Sequence, residues 1–103
     1  MGMQVETSSV GDAFVARLSG KMAFSDNATF RSLVEKINGS GAKRCTFELA
    51  GLQSVDSAGL GMFVIAMEAA KKNGWSLTLR QPSGQVKQLL ALARFDKLLT
   101  IAD

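Results

Sequence analysis

Ser54-Val55-Asp56-Ser57-Ala58-Gly59-Leu60-Gly61 is a short polar stretch between two apolar runs of different character. Before it, Cys45-Thr46-Phe47-Glu48-Leu49-Ala50 has the make-up of a strand; after it, Met62 to Lys72 reads as a helix. The local order is strand, tight turn, helix. Asp56 and Ser57 are the residue types that start helices, because their side-chain oxygens accept orphan backbone N–H groups. A serine hydroxyl is thereby placed at a helix N-terminus, where the backbone dipoles favour negative charge. Gly59 and Gly61 each cost roughly 1 kcal/mol against alanine inside a helix. Close approach of another molecule to the backbone beside the hydroxyl would explain them. On turn chemistry alone, a plain, well-capped strand-to-helix turn with its glycines packed on a sheet is the favoured reading of the stretch.

Working outward, the chain alternates element types. Met3 to Thr7 and Ala13 to Leu18 read as two strands around a turn at Ser8 to Asp12, an antiparallel hairpin that Gly20 ends. Lys21 to Asn27 reads as a connector rich in N-cap residues. Phe30, Leu33, Val34 and Ile37 then follow helical spacing from Ala28 to Asn38, and Asn38-Gly39-Ser40-Gly41 is a stop. Arg44 to Leu49 is the central strand. Ser57 to Asn73 is a helix apolar nearly all round until Glu68, Lys71 and Lys72, so it is either deeply buried or offers an apolar strip to a partner. Trp75 to Arg80 alternates as a strand. Ser83 is placed to cap a helix carrying Val86, Leu89, Leu90 and Ala93, which ends at Phe95-Asp96, and Leu98 to Ile101 supplies a last short strand. After the hairpin the order α, β, α, β, α, β implies parallel pairing with right-handed crossovers. Residues 1–103 read as one α/β domain with no repeats and no interior boundary.

Composition narrows the chemistry. The 103 residues include no histidine and one cysteine, which excludes Ser-His-Asp catalysis, imidazole bases, His-ligated metals and a cysteine zinc cluster. There is no Gly-Lys-Ser/Thr phosphate loop. The expectation is therefore a non-enzyme with no catalytic residue, metal or cofactor. A net charge of +3, with lysines and arginines scattered, gives no basic stripe for nucleic acid. No apolar run is long enough to span a bilayer, and no secretory signal pattern opens the chain. Cys45, alone in a strand, fits a buried thiol in a reducing cytoplasm.

Asp56-Ser57-Ala58-Gly59-Leu60-Gly61, following Phe47-Glu48-Leu49-Ala50-Gly51-Leu52, resembles the signature of the STAS domain family, specifically its single-domain anti-sigma factor antagonists. The resemblance covers essentially the whole chain. It implies a mixed, mostly parallel sheet with an N-terminal antiparallel hairpin and helices stacked mainly on one face. It also implies that Ser57, the first serine after the aspartate, is phosphorylated by a partner kinase, with Asp56, Ala58, Gly59 and Gly61 forming the supporting turn. The unphosphorylated domain would bind a serine kinase that doubles as an anti-sigma factor, and a separate phosphatase would reset the serine. Three departures from the family pattern stand out, one of them the net positive charge. Ala58 replaces a second Ser/Thr, and Lys21-Met22-Ala23-Phe24 occupies a segment that is acidic in many members, with Asp26 further on.

The expected partner surface gathers Met22, Phe24, Asp26, Leu60 and Met62 around Ser57, on a monomer or weak dimer. Met62 lies near the turn, and methionine adapts its shape to a docking surface. The alternative comes from another class: some stand-alone STAS domains are constitutive subunits bound to the ATPase of an ABC transporter of the lipid-trafficking type. Such a subunit needs no phosphorylation.

Overall fold

In the computed structural model, which describes residues 2–102, five strands form one sheet in the order β1-β2-β3-β4-β5. The strands are β1 (Gln4–Val10), β2 (Ala13–Met22), β3 (Arg44–Val55), β4 (Ser76–Arg80) and β5 (Thr100–Ala102). β1 and β2 are the antiparallel hairpin, and every other neighbouring pair is parallel. The helices are α1 (Asn27–Gly39), α2 (Ser57–Asn73) and α3 (Gly84–Leu92), with short 3-10 turns at Phe24–Asp26 and Phe95–Lys97. The mixed α/β architecture expected from the strand–helix alternation is the one observed.

The core explains the helix periodicities. Phe30 of α1, Phe47 of β3 and Phe63 of α2 meet with ring centroids 5.8, 6.1 and 6.4 Å apart, two of the contacts edge-on. All three rings are fully buried. Edge-to-face pairs at such separations add to the area term by about 0.5–1.5 kcal/mol each. Leu18, Leu49 and Leu79 extend the layer along β2, β3 and β4, and Val86 and Leu90 seat α3 on it. The indole of Trp75, ahead of β4, donates from Nε1 to Asn38 Oδ1 at 2.9 Å and so ties the end of α1 to the sheet.

On the other face, cross-strand register lines up Glu6, Arg17, Glu48 and Arg80 on four successive strands. Signs alternate along that row, and Arg80 Nη1 reaches Glu48 Oε1 at 3.0 Å. Opposite charges directly across a ladder favour one register over its neighbours.

Three strands run further than expected, β1 among them, which continues past Thr7 to Val10. β2 continues through Gly20, whose φ of +85° suits glycine, to Met22. β3 continues past Leu49 to Val55 because it is bulged twice. Arg17 faces Glu48 while Ser19 faces Gly51, and Gly20 faces Leu52 while Lys21 faces Ser54. Each step spends one extra residue of β3. Inward side chains are therefore Cys45, Phe47 and Leu49, then Leu52, then Val55. The lost alternation hides the rest of the strand in the sequence, where the periodicity stops at Leu49. α3 also ends earlier than expected, at Leu92, and Phe95 lies in the 3-10 turn beyond it.

Candidate functional site

β2 and β3 finish side by side, with Met22 paired to Val55. The segment after β2 and the turn after β3 therefore share the C-terminal edge of the sheet. The Asp56 N–H donates to the Met22 carbonyl at 3.3 Å, the last bond between the two strands.

Asp56 is the N-cap of α2. Its backbone is extended (φ −94°, ψ −176°), and its Oδ1 accepts the N–H of Gly59 at 2.8 Å. The Asp56 carbonyl accepts the N–H of Leu60 at 3.1 Å and starts the helical ladder. Ser57 is the first residue of α2 and is exposed. Because Asp56 does the capping, the Ser57 hydroxyl is left over, without a hydrogen-bond partner among the described residues. Ser54, the nearest serine, belongs to β3.

The two glycines of the turn have different reasons. A Cβ on Gly59 would sit 2.6 Å from Val55 Cγ1 and 3.4 Å from the Met22 carbonyl. Gly59 is thus a packing glycine that lets α2 start against the ends of β2 and β3. Gly61 is exposed, and a Cβ there meets nothing within 4 Å. Only Gly61 leaves open space beside Ser57, four residues along the same helix face.

Several expected contact residues lie elsewhere. Met22 and Met62 are each 1% exposed and belong to the core between the strand ends and α2, so neither reaches a partner. α2 is apolar nearly all round because Met62, Phe63, Ala66 and Ala70 are buried while Leu60, Val64, Ile65, Met67 and Ala69 are half-buried. Asp26 is also buried; its carboxylate accepts the Met3 N–H at 3.0 Å and the Ala23 N–H at 2.9 Å. It clasps the N-terminal strand to the connector rather than facing outward. Phe24, in contrast, is 73% exposed, Lys21 is exposed, and Leu60 is half-buried. Phe24, Ser57, Leu60 and Gly61 are what the edge presents.

Gln85, in the first turn of α3, was not suggested by the sequence. Its Oε1 accepts the Val55 N–H at 3.0 Å and its Nε2 donates to the Val55 carbonyl at 3.0 Å. Cys45 is buried on β3 away from this edge, and burial pushes its thiol up to about 12. A protonated, enclosed thiol is unreactive. Among the described residues, no group of three or more His, Cys, Asp or Glu is placed to hold a metal, and no helix is long and apolar enough to cross a membrane.

A family model described as "Mlab, STAS domain" matches residues 5–100. The chain belongs to the STAS domain family. A STAS-domain containing protein of Pseudomonas aeruginosa is 24% identical over 99% of this chain and 100% of its own length. Among solved structures, a candidate anti-sigma factor antagonist from Thermotoga maritima superposes with a TM-score of 0.82 at 20% identity, covering 96% of this chain and 86% of that one. The anti-sigma factor antagonist SpoIIAA in its unphosphorylated form gives 0.81 at 17% identity, over 97% of this chain and 89% of that one. SpoIIAA of Bacillus is also solved in a phosphorylated form, with a TM-score of 0.73 at 17% identity over 97% and 92% of the two chains. At these identities the solved structures share the STAS fold with this chain.

Proposed function

We propose that this STAS domain is a phosphorylation-switched binding module of the anti-sigma factor antagonist type. It binds a serine kinase that doubles as an anti-sigma factor when unphosphorylated, and is released when Ser57 carries phosphate. The observation that carries this reading is the division of labour at the turn. Asp56 caps α2, so the exposed Ser57 hydroxyl has no structural duty to lose. Phosphorylation would add about −1.5 to −2 charges there. The helix N-terminus offsets part of that charge, so the fold tolerates it. A partner seated over Phe24, Leu60 and Gly61 does not, because it would bury an unpaired phosphate beside the Asp56 carboxylate. The chemistry belongs to the kinase, and a phosphatase restores the serine.

Incubation with ATP and the kinase should add one phosphate to the wild-type chain and none to Ser57→Ala. Undiminished labelling of the alanine variant would overturn the assignment.

A second reading has its own observation. The 73%-exposed Phe24 gives the edge an apolar rim that is present whatever the state of Ser57. A permanent partner, such as an ABC-transporter ATPase, would use that rim without any switch.

A further inference from the structure

β4 ends at Arg80, level with Glu48 of β3. Residues 49–55 of β3 therefore run on with no strand beside them on the β4 side among the described residues. Val55 is 2% exposed, so its N–H and C=O on that side need partners or incur the cost of burial without a hydrogen bond. The Gln85 carboxamide satisfies both groups, standing in for the missing strand. On the opposite side the Met22 carbonyl takes the N–H of Asp56. The last residue of β3 and the first of the turn are thus held from α3 and from β2 at once.

α3 is itself fixed in place. The segments that flank it each hold a non-glycine residue in the left-handed region, Gln81 before it and Arg94 after it, at φ +57° and +59°. Such conformations persist only where surrounding contacts enforce them. Here the Gln81 N–H is anchored to the Ala102 carbonyl at 2.7 Å, and Val86 and Leu90 are buried under the helix.

We infer that Gln85 is a positioning residue for Ser57. Its two bonds set the end of β3 and hence the place and direction of the Asp56-Ser57 backbone, so that the hydroxyl is offered to a kinase in one geometry. Shape alone does not serve, because the job needs one donor and one acceptor at once. This rests on the reading of Ser57 as a phosphoacceptor. Gln85 touches neither ATP nor the hydroxyl, so its effect appears in turnover rather than in docking.

The test compares wild type, Gln85→Leu, Gln85→Glu and the control Val34→Ala, which removes core volume from α1 and touches none of the turn's hydrogen bonds. The probe is the ATP-dependent kinase activity fractionated from the chain's own cells. Misplacing a reacting group costs orders of magnitude in rate, so kcat should fall on the order of tenfold or more in both Gln85 variants, with KM little changed. Gln85→Glu keeps the shape but sets an oxygen against the Val55 carbonyl, so it should lose kcat as Gln85→Leu does. Val34→Ala should keep wild-type kcat. In parallel, amide exchange at Val55, Asp56 and Ser57 should quicken in the Gln85 variants and not in the control. Wild-type kcat in both Gln85 variants would overturn the inference. A wild-type chain that takes no phosphate would instead overturn the proposed function, and exchange would still show whether the carboxamide holds the turn.

Discussion

Asp56 Oδ1 accepts the N–H of Gly59 at 2.8 Å, across the residue that lies between them in function, Ser57. A capping bond of this kind contributes about 1 kcal/mol, so Asp56→Ala should cost that much. Ser57→Ala removes no bond and should cost only a few tenths of a kcal/mol. Urea unfolding of both variants measures the difference. The reverse order would make Ser57 a structural residue.

The two glycines of the turn should respond in opposite directions. Gly59→Ala forces a methyl against Val55 and the Met22 backbone, a close-packed site where overpacking costs roughly 1–3 kcal/mol. Gly61→Ala enters open space in a helix and should stabilise by up to about 1 kcal/mol. A glycine that lowers stability on an exposed face fits close approach by a partner. Gly61→Ala should therefore weaken kinase binding while raising the urea midpoint, and titration calorimetry beside the melt reads both.

Phe24 and Met62 should separate binding from folding. Phe24→Ala deletes an exposed ring and should leave stability within about 0.5 kcal/mol while weakening kinase binding. Met62→Lys places a charge in the core and should cost more than about 3 kcal/mol. Circular dichroism melts distinguish the two. A native melt for Met62→Lys would mean that this side chain reaches solvent.

Cys45 predicts a pH dependence. Burial raises its thiol from 9.0 to about 12, so the folded chain keeps the proton that the unfolded chain gives up. The unfolded state then binds fewer protons, and stability falls as pH rises between those values. The slope from this one group is about 1.4 kcal/mol per pH unit. The stability gap between wild type and Cys45→Ala should narrow at that rate above pH 9.0. Parallel curves would show that the thiol ionises freely in the folded chain.

The strand–helix alternation, the hairpin and the capped turn were legible because they rest on local periodicity and on residue types that act within a few positions. The tail of β3 was not, because two bulges break the alternation by which a strand is recognised. Met22 and Met62 were misplaced for a related reason. An apolar residue beside a functional turn looks the same in sequence whether it faces inward or outward, and only the packing of α2 against the strand ends decides. Asp26 read as a surface acid because its two backbone partners include Met3, distant in sequence. Gln85 left no local mark, since its whole role is a contact with a backbone 30 residues away. The nearest signal was the greater length of β3 relative to β4, itself hidden by the bulges.

The account stands on charge at Ser57 deciding whether the edge formed by Phe24, Leu60 and Gly61 is occupied. The measurement that tests it most directly is calorimetric titration of the purified kinase with two samples of the wild-type chain. One sample is fully phosphorylated at Ser57, and the other is the same material after phosphatase treatment. The account predicts tight binding of the dephosphorylated chain and a loss of at least about tenfold in affinity for the phosphorylated one, about 1.4 kcal/mol. Equal affinities would contradict it and leave the permanent transporter-subunit reading in its place.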